Sequence, residues 1–133
     1  MNEITVFIDG ASRGNPGEAG CGVVIHGMKD GPIHLTRYIG HATNNVAEYS
    51  ALILALEKLK QLGVRRLKIK SDSQLLVYQL NGRYAVKSPG IWKLFRVYMS
   101  LAVHFESIAV EHIPRELNRE ADMLANLAID QKS

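Results

Sequence analysis

Residues 45–62, NVAEYSALILALEKLKQL, decide how this chain folds. Glu48, Leu52, Leu56 and Leu59 recur there at helical spacing on one face, and Gly63 supplies the stop, which predicts an amphipathic helix. Upstream, Ile4 to Ile8 alternate in the manner of a strand and run into Asp9-Gly10. The Gly-rich stretch Gly10 to Gly22 reads as a loop. Cys21 to His26 and Pro32 to Ile39 read as two further strands joined by a turn at Lys29-Asp30-Gly31-Pro32. Downstream come a strand at Leu67 to Ser71, a short helix at Ser73 to Leu80, a helix at Ile91 to His104 and a strand at Ile108 to Ile113. A terminal helix follows at Asn118 to Ile129, with Ala121, Leu124, Ala125 and Ala128 on its packed face. Strands first, then helices alternating with strands, give an α/β fold: a mixed sheet with helices on its faces.

A chain of 133 residues is long enough to bury a core and short enough to be one domain, so a single domain over 1–133 without a linker is expected. With 47% hydrophobic and 22% charged residues the composition excludes disorder. The formal net charge of +3 suits a polyanionic partner without establishing one. The single Cys21 forms no internal disulfide, and no secretory leader or membrane-length apolar run is seen. The expectation is a cytoplasmic protein that does not enter the membrane and, for want of an interface signature, a monomer.

Four carboxylates carry the chemistry, and each also has an ordinary structural explanation. Asp9 fits an Asp-Gly turn, and Glu48 lies three residues after Asn45, the spacing of a capping box. Asp72 stands where a helix cap belongs, and Asp122 in a first helical turn complements the helix dipole. Capping leaves unexplained why Glu48 heads an apolar stripe, where an unpaired charge is costly. The topology brings strand ends and helix starts to one end of the sheet, so the four acids are expected to converge. Two like charges ~4 Å apart oppose each other by about 4 kcal/mol at an effective dielectric near 20, so such a cluster needs cations or protons. Oxygen-only ligands favour Mg²⁺ or Mn²⁺, and His and Cys show no zinc-type spacing along the chain. A pair of such ions can activate water and stabilise the departing oxygen of a phosphodiester.

The segments around these acids resemble type 1 ribonuclease H. The matching stretches are Asp9-Gly10-Ala11-Ser12-Arg13-Gly14-Asn15-Pro16-Gly17, Thr43-Asn44-Asn45-Val46-Ala47-Glu48, Ser71-Asp72-Ser73-Gln74 and Asn118-Arg119-Glu120-Ala121-Asp122-Met123-Leu124-Ala125. The resemblance implies a ribonuclease-H-like, five-stranded mixed sheet, three strands antiparallel and the rest parallel, with helices on both faces. It also implies a metal-dependent endonuclease that cleaves the RNA strand of RNA–DNA hybrids. Asp9, Glu48, Asp72 and Asp122 match the family's metal-binding carboxylates, with two Mg²⁺ ions expected. Asn15, Thr43, Asn44, Asn45 and Gln74 match its phosphate and 2′-hydroxyl contacts.

Two stretches depart from the family pattern. The basic protrusion that some members carry between the third and fourth motifs is short here, retaining Arg83, Lys87, Trp92, Lys93 and Arg96. These residues form either a reduced surface of phosphate contacts with one aromatic platform, or solvated bases around a core Trp92. The family's flexible His loop is replaced by His112-Ile113-Pro114-Arg115-Glu116, stiffened by Pro114. His112 is then structural or functional, and Arg115 is an alternative phosphate contact. The rival readings are a catalytically weak hybrid- or RNA-binding module of the same fold, and the same fold acting on a different substrate, a DNA junction or a nucleotide phosphate.

Overall fold

The computed structural model describes residues 3–133. Its elements are β1 (Ile4–Arg13), β2 (Gly17–His26), β3 (Ile33–Ala42), α1 (Asn44–Gln61), β4 (Arg66–Ser71), α2 (Gln74–Leu80), α3 (Pro89–Ala102), β5 (Ser107–His112), a 3₁₀ turn at Arg115–Leu117 and α4 (Arg119–Gln131). One five-stranded sheet runs β3-β2-β1-β4-β5. Its first three strands are antiparallel, and β1, β4 and β5 are parallel, as the resemblance implied.

The helices form two unequal layers. Against one face α1 buries Leu52, Leu56 and Leu59 over Val6, Ile8, Val23, Ile25, Leu67 and Ile69, and Leu76 of α2 and Ile91 of α3 extend that core. The other face carries α4, where Ala121 and Leu124 pack on Val24 and Phe7. The face of β4 and β5 on that second side displays Lys68 and Lys70, both paired with Glu111.

The expected loop from Gly10 to Gly22 is a correction. The β1–β2 ladder continues from Asp9↔Gly22 to Arg13↔Glu18, so the chain turns only at residues 14–16. Gly10 and Gly22, read as turn signals, serve close packing instead, whereas Gly14, at φ +110°, does make the turn. A Cβ at Gly10 would fall 2.2 Å from the carbonyl carbon of Ala47 in α1, and one at Gly22 would fall 2.1 Å from the carbonyl oxygen of Ala121 in α4. Each helix presses onto the sheet where the strand has no side chain.

Of the remaining boundaries, the end of β3 lies three residues beyond the expected Ile39, at Ala42, and the others lie within two residues of the sequence expectation. One cap differs. Thr43, not Asn45, is the N-cap of α1, its hydroxyl accepting the Val46 amide at 3.2 Å. Glu48 therefore lies in the second turn, beyond capping-box reach, and the ordinary explanation for its place fails.

Candidate active site

Each acid reaches the site from a different element. Asp9 lies within β1, where β2 and β4 flank it, and Asp72 follows β4, parallel to β1. Glu48 comes from α1 and Asp122 from the first turn of α4. Asp9, Glu48 and Asp72 each offer a carboxylate oxygen within 4.8 Å of the other two. Asp122 joins through Asp9, whose carboxyl it faces, and all four line one cleft.

Neighbouring groups fix these side chains. Asn118 Nδ2 donates to the Ile8 carbonyl at 2.9 Å and to Asp72 Oδ2 at 3.2 Å, tying the third acid to the central strand. His112 Nε2 lies 3.3 Å from the Asp72 carbonyl oxygen. Asn126 Nδ2 donates to the Asp122 carbonyl at 3.0 Å and to its carboxylate at 3.4 Å. Sequence reasoning missed Asn118 and Asn126 as positioning residues. Asn118 was legible only as part of a motif, whereas Asn126, four residues beyond Asp122, carried the one available hint in its helical spacing.

The electrostatics follow from burial and crowding. Burial, then the charge of Asp72, pushes the Asp9 carboxyl up to about 8. Burial, then Asp9, holds Glu48 well above the usual carboxylate range. Without a cation, burial and mutual repulsion therefore favour the protonated form of this pair. Glu48 Oε2 is buried with no hydrogen-bond partner among the described residues. A buried, unpartnered carboxylate oxygen beside two further carboxylates fits a hard divalent cation, which takes oxygen ligands and offsets the desolvation. Cys21 is fully buried and its thiol is pushed up to about 12 by that burial, so it supplies no thiolate.

Of the expected substrate contacts, Asn44 and Asn45 line the acidic cleft. Asn15 holds its edge, its Oδ1 accepting the Asn44 amide at 2.9 Å, and Thr43 caps the same helix. Gln74, exposed at the start of α2, is not among the residues lining the cleft, whereas Arg115 is. Lys87 and Lys93 are exposed, and neither they nor Trp92 line the cleft. Trp92 is 46% exposed and stacks on Phe95 at 5.6 Å, so the core-packing alternative for it is excluded.

A family model described as "Reverse transcriptase-like" matches residues 7–128. The crystal structure of RNase H1 from the halophilic archaeon Halobacterium salinarum superposes with a TM-score of 0.92 at 38% identity, covering 98% of this chain and 99% of that one. The chain belongs to the type 1 ribonuclease H family. It has the family's short form, since the turn between α2 and α3 spans only residues 81–88. The crystal structure of a second member, LC11-RNase H1 in complex with an RNA/DNA hybrid, matches with a TM-score of 0.91 at 41% identity over 98% of this chain and 99% of that one. A bifunctional protein of Mycobacterium tuberculosis is 42% identical over 130 residues, 96% of this chain, and the chain spans 36% of that relative's length.

Proposed function

We propose that this chain is a metal-dependent endoribonuclease that hydrolyses the RNA strand of RNA–DNA hybrids. The observation that carries the proposal is the cluster of Asp9, Glu48 and Asp72 within 4.8 Å, with one buried carboxylate oxygen of Glu48 left without a partner. A surface that only binds polyanions gains nothing from acids gathered to face phosphate. Family membership and a relative solved with an RNA/DNA hybrid support the choice of substrate.

Asp9, Glu48, Asp72 and Asp122 would hold two Mg²⁺ ions, or Mn²⁺ in their place. Bound there, the ions supply Lewis-acid activation of water and charge stabilisation of the departing oxygen. The protein's own part is positioning. Asn118 and His112 fix Asp72 through its carboxylate and its carbonyl, and Asn126 fixes Asp122. Asn44 and Asn45, at the N-terminus of α1, direct donors at phosphate and sugar oxygens along the cleft. Asn15 keeps its Nδ2 free to donate while its Oδ1 anchors Asn44, and Thr43 keeps its hydroxyl proton while accepting from Val46. Together with Gln74 these groups read the 2′-hydroxyl that separates RNA from DNA. Arg115 contacts phosphate from the cleft wall. Lys87, Lys93 and the exposed Trp92 form a reduced surface for the second strand.

We further propose that the protein acts as a monomer in the cytoplasm. No helix among the described residues is long and apolar enough to cross a membrane.

The test is cleavage of end-labelled hybrid, duplex RNA and duplex DNA of one sequence, with Mg²⁺, with Mn²⁺ and with chelator. The expected result is cleavage confined to the RNA strand of the hybrid and abolished by chelation. Equal cleavage of all three duplexes, or no hybrid cleavage with either metal, overturns the proposal.

A further inference from the structure

Beyond Asp122 the acidic cleft runs on into a smaller groove of about 290 Å³, lined by Arg115, Glu116, Arg119 and Asp122. Arg115 and Asp122 belong to both hollows, so the two are continuous. The backbone that carries the groove is held firmly. Asn118, only 1% exposed, ties its side chain to the Ile8 carbonyl and to Asp72. Its amide donates to the Arg115 carbonyl at 3.0 Å, and its own carbonyl accepts the Asp122 amide at 3.1 Å. Arg115 and Arg119 lie on either side of this anchor, at set positions relative to Asp122. Both are exposed, and among the described residues neither makes a salt bridge, although Glu116 shares their groove. Glu120 is turned the other way, its carboxylate 3.3 Å from His34 and 4.0 Å from His26. Two guanidinium groups thus stand without an anion where the cleft continues.

We propose that Arg119, acting with Arg115, clamps a phosphate of the RNA strand close to the one being cleaved, which makes Arg119 a substrate-binding residue. The inference rests on the reading of the acidic cleft as the site of hybrid hydrolysis. A guanidinium presents a rigid fork of donors that matches phosphate oxygens, and two of them on one groove can hold the group from both sides. Phosphates of one strand follow each other every ~3.4 Å along a duplex axis. With the scissile phosphate at the acids, the strand that continues past Asp122 carries a neighbouring phosphate into the groove. Glu116 opposes that phosphate from the wall and limits how tightly it is held. The contact lies away from the reacting atoms, so it is made equally before and during the chemical step. It therefore acts on binding rather than on the rate of bond cleavage.

The test is a thermodynamic cycle between protein and substrate. Hybrids carry a single uncharged methylphosphonate linkage, moved position by position along the RNA strand and then along the DNA strand. Kd is measured with Mg²⁺ in an Asp9→Asn background, so that substrate is not consumed, and single-turnover cleavage is measured in the native background. Arg119→Gln should raise Kd roughly tenfold and lower the slope of log Kd against log salt by about one, while melting like the parent. Its cleavage rate at saturating protein should change by less than about twofold. At one RNA-strand position near the scissile linkage, the uncharged substitution should cost the parent roughly tenfold and the Arg119→Gln variant nothing further. Arg119→Lys should lose less, since it keeps the charge without the fork. Glu116→Gln should tighten binding, an opposite sign that a merely structural role does not produce. An unchanged Kd for Arg119→Gln, equal sensitivity of parent and variant at every RNA-strand linkage, or coupling to a DNA-strand linkage overturns the proposal. The Kd cycle is decided whether or not the chain cleaves, so failure of the parent to cut hybrids would sink the functional reading separately.

Discussion

The two helical layers that sandwich the sheet are built differently, and each delivers one acid to the cleft. On the α1 side Glu48 heads a helix whose apolar stripe is sunk in the continuous core around Leu52, Leu56, Val6 and Ile8. On the α4 side Asp122 heads a helix held by a small cluster of Ala121, Leu124, Val24 and Phe7, drawn in where Gly22 leaves room. Glu48 is 7% exposed and carries an unpartnered oxygen, whereas Asp122 is only half-buried and is met by Asn126. A deep layer can hold a charge in a costly place because many contacts fix its backbone. A shallow layer must steady its acid with hydrogen bonds, which leaves that acid freer to adjust.

The largest test of this contrast is removal of the acids themselves. Asp9→Asn and Glu48→Gln should each lower hybrid cleavage by about a thousandfold or more in single-turnover assays, the equivalent of ~4 kcal/mol in transition-state stabilisation. Asp122→Asn, on the adjustable side, should retain more activity, with a loss of about tenfold to a hundredfold. Parity between the Glu48 and Asp122 variants would erase the distinction between the two layers.

Packing comes next. Leu52→Ala should destabilise by about 3–5 kcal/mol in urea unfolding, and Leu124→Ala by about 2–3 kcal/mol, because the shallower site collapses more readily around the lost volume. The hydrogen-bonded supports follow. Asn118→Ala strands the Ile8 carbonyl and frees Asp72, so it should cost about 1–3 kcal/mol of stability and reduce cleavage by roughly tenfold.

A pH series sharpens the same comparison. The Asp9 carboxyl titrates at about 8 in the folded chain against 3.8 as its ordinary value, and Glu48 is raised in the same direction. Between those pH values the folded protein holds protons that the unfolded chain has released. The stabilisation is full below about pH 4 and is lost as pH rises towards 8, so Tm of the metal-free protein should fall across that window. Asp9→Asn should flatten the slope, and so should Mg²⁺. A metal-free Tm that rises from pH 5 to 8 would contradict the buried-acid account.

The smallest effect concerns the shortened α2–α3 turn. With few basic contacts beside the cleft, hybrid affinity should be modest and fall roughly tenfold between about 50 and 200 mM salt, the dependence of two phosphate contacts. A salt-independent Kd would show that base and sugar contacts dominate.

Much of this architecture could be read along the chain. The stripe of Glu48, Leu52, Leu56 and Leu59 marked α1, and Ala121, Leu124, Ala125 and Ala128 marked the buried face of α4, because helical periodicity is local. The four acids stood out through their shared motif order. What failed did so for one kind of reason. Gly10 and Gly22 looked like loop residues because the backbones they admit belong to Ala47 and Ala121, distant in the chain. Asn45 looked like a cap until Thr43 took that place, and Trp92 looked apolar enough for the core until α3 turned it outward.

The sequence by itself determined the periodicities, the acid quartet and therefore the family of folds in which they make sense, since those depend on spacing between near neighbours. Only the tertiary structure decided that Asp9, Glu48 and Asp72 lie within 4.8 Å and that Asn118 bridges β1 to Asp72. Those facts depend on strand register and on how closely each helix approaches the sheet. Both are set by contacts between residues far apart in the chain, which no local pattern records.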